Sequence, residues 1–454
     1  MNETLGKKSP LRIELSDNLR EVLANVLNEV HNREYSQRFW TLILEDYITS
    51  VLTLKDALEN DKGISKYDKY PINSHTFLSF KDSLKEDLKI LIKYWIDRSN
   101  HAELREILKG SDQLNLGFPA VDIPGDEFGA ELPKLIYYVT GLKGRNKRKK
   151  VTRLSKKYSD PFLKNAVYRL PKLYVEFLDA ILHSVPLFRP GYKTFHVHNI
   201  RSLYDRFLIA QYVEKGAKLI WYQHGSHYGE YNHEYLHQLE HSVADEFRTW
   251  GWQIKEKDRP WKAYRLEKFR QEYDRYTNSA KNDLLIIYPK MYPVYRQHSM
   301  DATEQLVKYL NFDTYKNVVA RPRPVHKKHG HESELSFIAD EKIRISSGLT
   351  SVAKEVSESR LVLQMNVPGT NFLECIYTDH PVTGILTNTD PTDTIKPYYT
   401  FLLEKGVLHK TPESLVKFLN TTDLDTWWSE LQQEKVYQQF RKTYAANCEP
   451  EKTN

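Results

Sequence analysis

The chain has 454 residues, of which 40% are hydrophobic and 28% are charged, a composition typical of globular rather than disordered proteins. Its 66 basic and 60 acidic residues leave a net charge of +6, and because the two signs are interleaved we do not expect a nucleic-acid-binding protein. Cys375 and Cys448 are too few for a disulfide framework or a zinc cage, and no apolar run reaches the roughly 20 residues of a membrane span.

The amino-terminal part of the chain is predicted to be helical. Asp17 is predicted to cap a first helix, whose apolar residues run from Leu19 to Val30 at helical spacing. Further helices are predicted over 39–52 and 80–96. The basic run 141–157 is too charged to pack inside and is predicted to be an exposed loop or mobile arm. Contact of this run with anionic lipid headgroups is the alternative interpretation.

Strands and helices alternate from residue 194 onward, which predicts parallel sheets. The first group has predicted strands at 194–198, 217–222 and 247–252, with helices at 201–215 and 233–246. A polar helical segment at 261–279 connects it to a second group, with strands at 283–288, 317–320, 342–346, 360–365 and 381–386 and helices at 302–310, 349–358 and 370–378. Helices at 412–419 and 427–444, the second capped by Asp425, are predicted to close the chain.

We therefore expect an α/β fold with two Rossmann-like lobes, helical additions at the amino terminus and a helical tail. Open sheets of this kind bind ligands outside the carboxyl ends of their strands, so we place the ligand in a cleft between facing sheet edges. The predicted domains are a first lobe with the amino-terminal helices (1–265), a linker (266–280), a second Rossmann-like lobe (281–410) and terminal helices that pack back on the first lobe (411–446).

The loop 223–230 is the first candidate site, because it directly follows a predicted buried strand. Gly225 and Gly229 would allow a ligand to approach the backbone closely, and Tyr228 adds an aromatic contact. An imidazole such as that of His224 accepts or donates a proton near neutral pH. The base or nucleophile is predicted to be His224, Glu230 or, further along the chain, Asp245; the sequence does not choose among them.

A zinc site is an alternative interpretation of the next segment. His233, Glu234 and His237 match the His-Glu-x-x-His pattern of zinc proteases. Because the segment is rich in histidine and no third ligand is evident, a polar helix face that lines the cleft is the preferred interpretation. A zinc hydrolase using His233 and His237 remains one alternative function, and a non-catalytic glycan-binding protein is the other.

Two arginines mark a candidate phosphate site in the second lobe. Arg321 and Arg323 follow a predicted strand and alternate with prolines, which stiffen the loop. Planar guanidinium groups suit bidentate capture of a phosphate. A solvated basic loop is the alternative interpretation of these residues.

The start of the helix at 370–378 is a second candidate for anion binding, since the first amides of a helix have no partner within it. Gly369 precedes this helix, and Thr370 or Asn371 is predicted to cap it. Glu374 either completes a capping box with Asn371 or bonds the ribose of a nucleotide. The spacing supports both roles equally.

Several motifs resemble those of a family of bacterial surface-carbohydrate transferases. The loop Gln-His-Gly-Ser-His-Tyr-Gly at 223–229 is similar to the family's Gln-His-Gly-Gly-x-Tyr-Gly loop, with Ser226 in place of the second glycine. The Trp-Gly-Trp sequence at 250–252 is similar to a second family motif. Weaker similarity is scattered over about 19–444. The chain is also similar, more distantly, to glycerophosphate and Kdo transferases.

The resemblance implies a glycosyltransferase of the GT-B type, normally metal-independent, with the nucleotide on the second lobe. The expected substrates are a CMP-, CDP-, UDP- or GDP-linked sugar and a surface-polysaccharide or lipid-linked acceptor, without a separate cofactor. We expect a cytoplasmic enzyme, with any contact at the inner face of the plasma membrane being peripheral. The residues expected to contact the donor are Gly225, Tyr228, Gly229, Arg321, Arg323, Gly369, Thr370, Asn371 and Glu374.

Overall fold

The fold is described from a computed structural model. It describes residues 10–60, 113–116, 134–176, 178–179, 182, 193–198, 200, 203–232, 235–276, 281–289, 293–322, 338, 342–387 and 390–445. The predicted helix at 80–96 lies outside these residues.

The described strands form two parallel sheets. The first has the order β1 (Gln113–Leu116), β2 (Thr194–Val197), β3 (Lys218–Tyr222), β4 (Glu246–Thr249) and β5 (Asp258–Pro260). The second contains β6 (Asn282–Ile287), β7 (Val318–Arg321), β8 (Ile343–Ile345), β9 (Ser359–Val367), β10 (Val382–Leu386) and β11 (Leu408–His409). Its order, β8-β7-β6-β9-β10-β11, corresponds to 3-2-1-4-5-6 along the chain, which is the Rossmann order. The predicted fold class, α/β with Rossmann-like parallel sheets and helical ends, is confirmed.

Helices precede, connect and follow the strands, as the alternating pattern predicts. Those before and between the strands of the first sheet are α1 (Pro10–His31), α2 (Gln37–Asn60), α3 (Lys134–Ser155), α4 (Pro161–Tyr168), α5 (Lys172–Val175), α6 (Leu203–Glu214) and α7 (Tyr235–Val243). The later ones are α8 (Tyr264–Tyr273), α9 (Pro293–Tyr309), α10 (Val352–Ser357), α11 (Thr370–Thr378), α12 (Lys396–Glu404), α13 (Pro412–Thr421), α14 (Leu424–Gln433) and α15 (Lys435–Tyr444).

The chain divides into two compact units. One unit contains Gln223–His237 and Phe247–Asn454, and the other contains Lys8–Tyr222 and Gln238–Glu246. The candidate loop 223–230 therefore belongs to the same unit as the six-stranded sheet and α11. The domain boundary near residue 265 remains a prediction.

The core of the six-stranded sheet explains why its strands are apolar almost throughout. Residues 284–287 of β6 are all buried, as expected for a central parallel strand covered on both faces. Leu361, Leu363 and Met365 of β9 alternate toward one face, where they pack with Leu306 and Leu415 from the helices. The intervening residues of β9, Val362, Gln364 and Asn366, therefore point to the opposite face.

Three local predictions at helices are wrong. The basic run at 141–157 lies mostly within α3, where Val151 and Leu154 are buried and the exposed basic residues share the other side. Arg148 in this run is buried because it pairs with Glu176. Asp17 does not cap α1, since the helix begins at Pro10. Asp423, rather than Asp425, caps α14 through a hydrogen bond from the backbone N–H of residue 425.

Candidate active site

The buried side chain of Gln223 fixes the start of the loop. Its Oε1 accepts hydrogen bonds from the backbone N–H of Trp250 at 2.8 Å and from Nε1 of Trp252 at 2.9 Å. Its Nε2 donates to the carbonyl oxygen of Gly225 at 2.8 Å. One amide thus joins the loop to the Trp-Gly-Trp turn.

Gly229 allows the end of the loop to pack against the same turn. Its φ is +74°, in the left-handed region that side chains rarely adopt. A Cβ at this position would lie only 2.6 Å from the ring of Trp252. The loop therefore needs glycine at 229 both for its backbone conformation and for its packing.

His224 is held by Tyr228. The Tyr228 hydroxyl lies 2.8 Å from Nδ1 of His224. The tyrosine is buried, and its ring stacks on Phe247 at 5.8 Å between centroids. Tyr228, expected to contact the donor, therefore lies beneath the imidazole and orients it, while His224 itself is half-buried.

Glu230 lies inside the protein. Its Oε2 accepts a hydrogen bond from the Tyr399 hydroxyl at 2.5 Å, and its Oε1 accepts one from the His227 backbone N–H at 3.4 Å. Burial raises the pKa of this carboxyl to about 7, because desolvation penalises the charged form. Thr392 also bonds the carbonyl oxygens of Gly229 and Glu230. Through these contacts Glu230 fixes the end of the loop against α12 and the segment at Thr392.

The loop meets the start of α11. The Thr370 Oγ1 accepts a hydrogen bond from the backbone N–H of Ser226 at 3.2 Å, and a Cβ at Gly225 would lie 3.4 Å from the same oxygen. The two candidate regions of the sequence, 223–230 and 369–374, are thus brought together. Ser226, which stands where the resembling family has glycine, is buried against Thr370.

The start of α11 differs from the predicted capping box. The N-cap residue is Gly369, which has no capping side chain, so Thr370 and Asn371 lie within the helix. The Asn371 Nδ2 donates to Oε2 of Glu374 at 2.6 Å instead of capping the backbone. The prediction that Thr370 or Asn371 caps the helix is therefore wrong. The first amides of α11 are left for other partners.

Arg265 completes this cluster. Its Nε donates to Oε1 of the buried Glu374 at 3.1 Å, and its Nη1 donates to the carbonyl oxygen of His224 at 3.4 Å. No sequence signal marks Arg265, because it lies in the connecting helix α8 and forms no motif with the residues it contacts. Tyr399 is likewise unmarked by any sequence signal, since it lies on α12, a helix that the pattern does not predict.

Arg321 contacts residues outside this cluster. It is buried, its Nη1 pairs with Glu355 at 2.7 Å, and its Nη2 donates to the carbonyl oxygen of Thr350 at 2.7 Å. These contacts occupy the guanidinium within the fold. Arg323 lies outside the described residues.

Asp245 belongs to the other unit. Its carboxylate pairs with Arg38 at 2.8 Å and accepts a hydrogen bond from the backbone N–H of Leu219 at 2.7 Å. Because Leu219 is the second residue of β3, the carboxylate lies toward the amino end of that strand. Parallel sheets bind ligands at the opposite end of their strands.

His237, one residue of the zinc alternative, is buried among aromatic rings. Its ring centroid lies 5.2 Å from that of Trp252 and 5.0 Å from that of Phe247. His233 and Glu234 lie outside the described residues. Within the part of the chain that is described, no group of three or more His, Cys, Asp and Glu side chains could hold a metal ion.

None of the helices in the described part combines the length and apolar character needed to cross a membrane.

Comparison with curated proteins finds no match. Among solved structures, the chain is similar to HepE of Anabaena in complex with UDP-glucose, at 11% identity over 71% of this chain and 94% of that chain, with a TM-score of 0.35. It is similar to MurG of Acinetobacter baumannii at 11% identity over 62% and 75% of the two chains, with a TM-score of 0.34. It is also similar to the UDP-GlcNAc 2-epimerase of Neisseria meningitidis bound to UDP-GlcNAc, at 10% identity over 70% and 87%, with a TM-score of 0.34.

Family assignment comes from sequence rather than from these distant structures. Residues 138–453 match the sequence model described as the LIC12162 family transferase. The matched region contains both sheets' strands from β2 onward and every residue of the cluster around His224 and α11. The chain belongs to the LIC12162 family of transferases.

Proposed function

We propose that this transferase moves a sugar from a nucleotide-activated donor to a surface-polysaccharide or lipid-linked acceptor. The observation that carries the proposal is the contact between Ser226 and Thr370, which places the imidazole-bearing loop at the first turn of a helix. Amides at a helix start favour a phosphate, and an imidazole beside them can move a proton. Transfer from an activated sugar requires stabilisation of the leaving phosphate and removal of a proton from the acceptor, and these two groups can supply them.

The overall transfer breaks the bond between the sugar's anomeric carbon and a phosphate oxygen, whose electrons leave with the nucleotide. A bond forms from that carbon to the acceptor oxygen, and the acceptor's hydroxyl proton passes to a base. We assign the base to His224, because Glu230 is buried under the loop and Asp245 is held by Arg38. The amides at the start of α11 would stabilise the charge that develops on the phosphate.

The proposal extends to the setting of the reaction. The donor is a CMP-, CDP-, UDP- or GDP-linked sugar and acts as a substrate, with no separate cofactor or metal. The enzyme works in the cytoplasm, in peripheral contact with the inner face of the plasma membrane, where lipid-linked acceptors are found. Membership of a transferase family supports the reaction class and leaves the donor to experiment.

A panel of nucleotides tests the proposal. We expect CDP, UDP, GDP or CMP to raise the thermal unfolding temperature of the protein, equally with and without EDTA, because binding to the native state stabilises it. The matching nucleotide sugar should then lose its sugar during incubation with enzyme and acceptor extract, and His224→Ala should stop this release. His241→Ala is the control for loss of a histidine. A protein that no nucleotide stabilises would contradict the proposal.

A further inference from the structure

Arg265 touches both halves of the candidate site. It precedes its partner Glu374 by 109 residues in the chain, yet it bonds that residue at 3.1 Å and the carbonyl oxygen of His224 at 3.4 Å. Close to half of its side chain is exposed, with a relative accessibility of 46%. The guanidinium is therefore accessible to a ligand at the point where the loop meets α11.

Glu374 holds this guanidinium in a fixed orientation. Its side chain is 4% exposed, and its second oxygen accepts the hydrogen bond from Asn371 at 2.6 Å. Because the carboxylate is buried and the guanidinium is half exposed, the positive side of the pair faces solvent. The hydrogen bonds from Arg265 and Asn371 occupy both oxygens of the Glu374 carboxylate, which the sequence spacing also supports as a ribose contact.

The oxygen of a buried amide beside the start of α11 also lacks a hydrogen-bond partner among the described residues. Gln364 on β9 is buried, and its amide nitrogen would lie 3.1 Å from a Cβ at Gly369, the N-cap residue of α11. Among the described residues, no hydrogen-bond partner reaches its Oε1. A buried amide oxygen without a donor is unfavourable, so this oxygen calls for a donor group from a ligand or a water molecule.

We propose that Arg265, held by Glu374, is the cation that binds a phosphate group of the nucleotide donor at the first turn of α11. The proposal rests on the function proposed above and assigns its phosphate contact to a residue that sequence motifs do not mark. Arg321, by contrast, is paired with Glu355 inside the fold. The fork of Arg265 can bond Glu374 with one edge and offer its remaining N–H groups to a phosphate.

The test compares Arg265→Gln with Lys268→Gln, which removes the same charge from an exposed position on the same helix. Dissociation constants are measured by calorimetry for inorganic pyrophosphate and for the nucleotide that stabilises the wild-type protein. Arg265→Gln should weaken both by about 10-fold or more, the loss expected for charge-assisted hydrogen bonds. Arg265→Lys should fall between wild type and Arg265→Gln, and Lys268→Gln should bind as wild type does.

The outcomes separate this inference from the proposed function. If wild-type protein and Arg265→Gln bind the stabilising nucleotide equally well, the role of Arg265 is refuted and the proposed function is left intact. Equal weakening by Lys268→Gln would also refute it, because the effect would then come from net charge. Wild-type protein that binds no nucleotide contradicts the proposed function itself. Unfolding temperatures without ligand confirm that each variant is folded.

Discussion

Glu230 and Gln223 are buried polar side chains whose hydrogen bonds hold the loop 223–230 in its conformation. Gln223 bonds two tryptophans and Gly225, and Glu230 bonds Tyr399. Both side chains are buried, so each lost contact would leave an unpaired polar group. The composition of the loop indicates both His224 and Glu230 as catalytic candidates. Because Glu230 is buried and bonded to Tyr399, its role is to hold the loop that carries His224.

The pKa of Glu230 gives this support a measurable pH dependence. The folded carboxyl keeps its proton up to about pH 7, whereas an unfolded one has a pKa of 4.5. Between these values the folded state binds more protons, so the free energy of unfolding falls as pH rises, by about 3 kcal/mol in all. We expect Glu230→Gln to remove this fall.

The comparison uses urea unfolding of wild type and Glu230→Gln at pH 5 and pH 8. Other groups contribute to both proteins alike, including His380 and His409, whose pKa values burial lowers to about 3 and about 4. Only the difference between the two proteins reports on Glu230. An identical change in stability from pH 5 to pH 8 in both proteins would show that the carboxyl ionises normally in the fold.

At the level of the loop, glycine is required where the backbone turns against Trp252. Gly229→Ala should be strongly destabilising, because the alanine must adopt a φ near +74° and its Cβ would lie 2.6 Å from the ring. Gly216→Ala is the matched control, since Gly216 has a φ of +92° with nothing within 4 Å of an added Cβ. We expect Gly229→Ala to cost about 1–3 kcal/mol more than Gly216→Ala, the usual cost of overpacking.

Urea unfolding followed by tryptophan fluorescence provides the two free energies. Because both substitutions share the backbone penalty, their difference isolates the contact with Trp252. Equal costs would mean that the loop moves away from the indole without penalty. The loop would then be less firmly joined to the Trp-Gly-Trp turn than its hydrogen bonds indicate.

The sequence predicted the elements of the second sheet well because each is a short apolar run bounded by turn residues. The strands β6, β7, β9 and β10 and helix α11 lie within one to two residues of their predicted positions. Helix α12 and strand β11 were missed. The two-residue β11 is too short to show a periodic pattern.

The site was predictable only in part. Local signals, namely the glycines and His224 in one segment and the helix start at Gly369 in another, indicated two regions that the structure joins. Spacing does not show which way a side chain points, so the inward direction of Arg321 was not visible. Nor does it show contacts between distant parts of the chain, such as that of Arg265 with Glu374.

Across the unit that holds the site, the sheet order explains why these regions meet. The six-stranded sheet has the Rossmann order, and α11 follows its central strand β9, so the helix starts at the carboxyl edge of the sheet. The segment 223–237 belongs to this unit although it follows β3 in the chain. The fold of this unit therefore brings the loop that carries His224 to the start of α11.

The most direct test of the account is a crystal structure of the protein with the nucleotide that stabilises it. We expect the phosphate oxygens to lie within hydrogen-bonding distance of the amides of Thr370 and Asn371, with Arg265 beside them and His224 facing the sugar position. Phosphates bound away from the start of α11, for example at the carboxyl end of β7 near Arg321, would contradict the account.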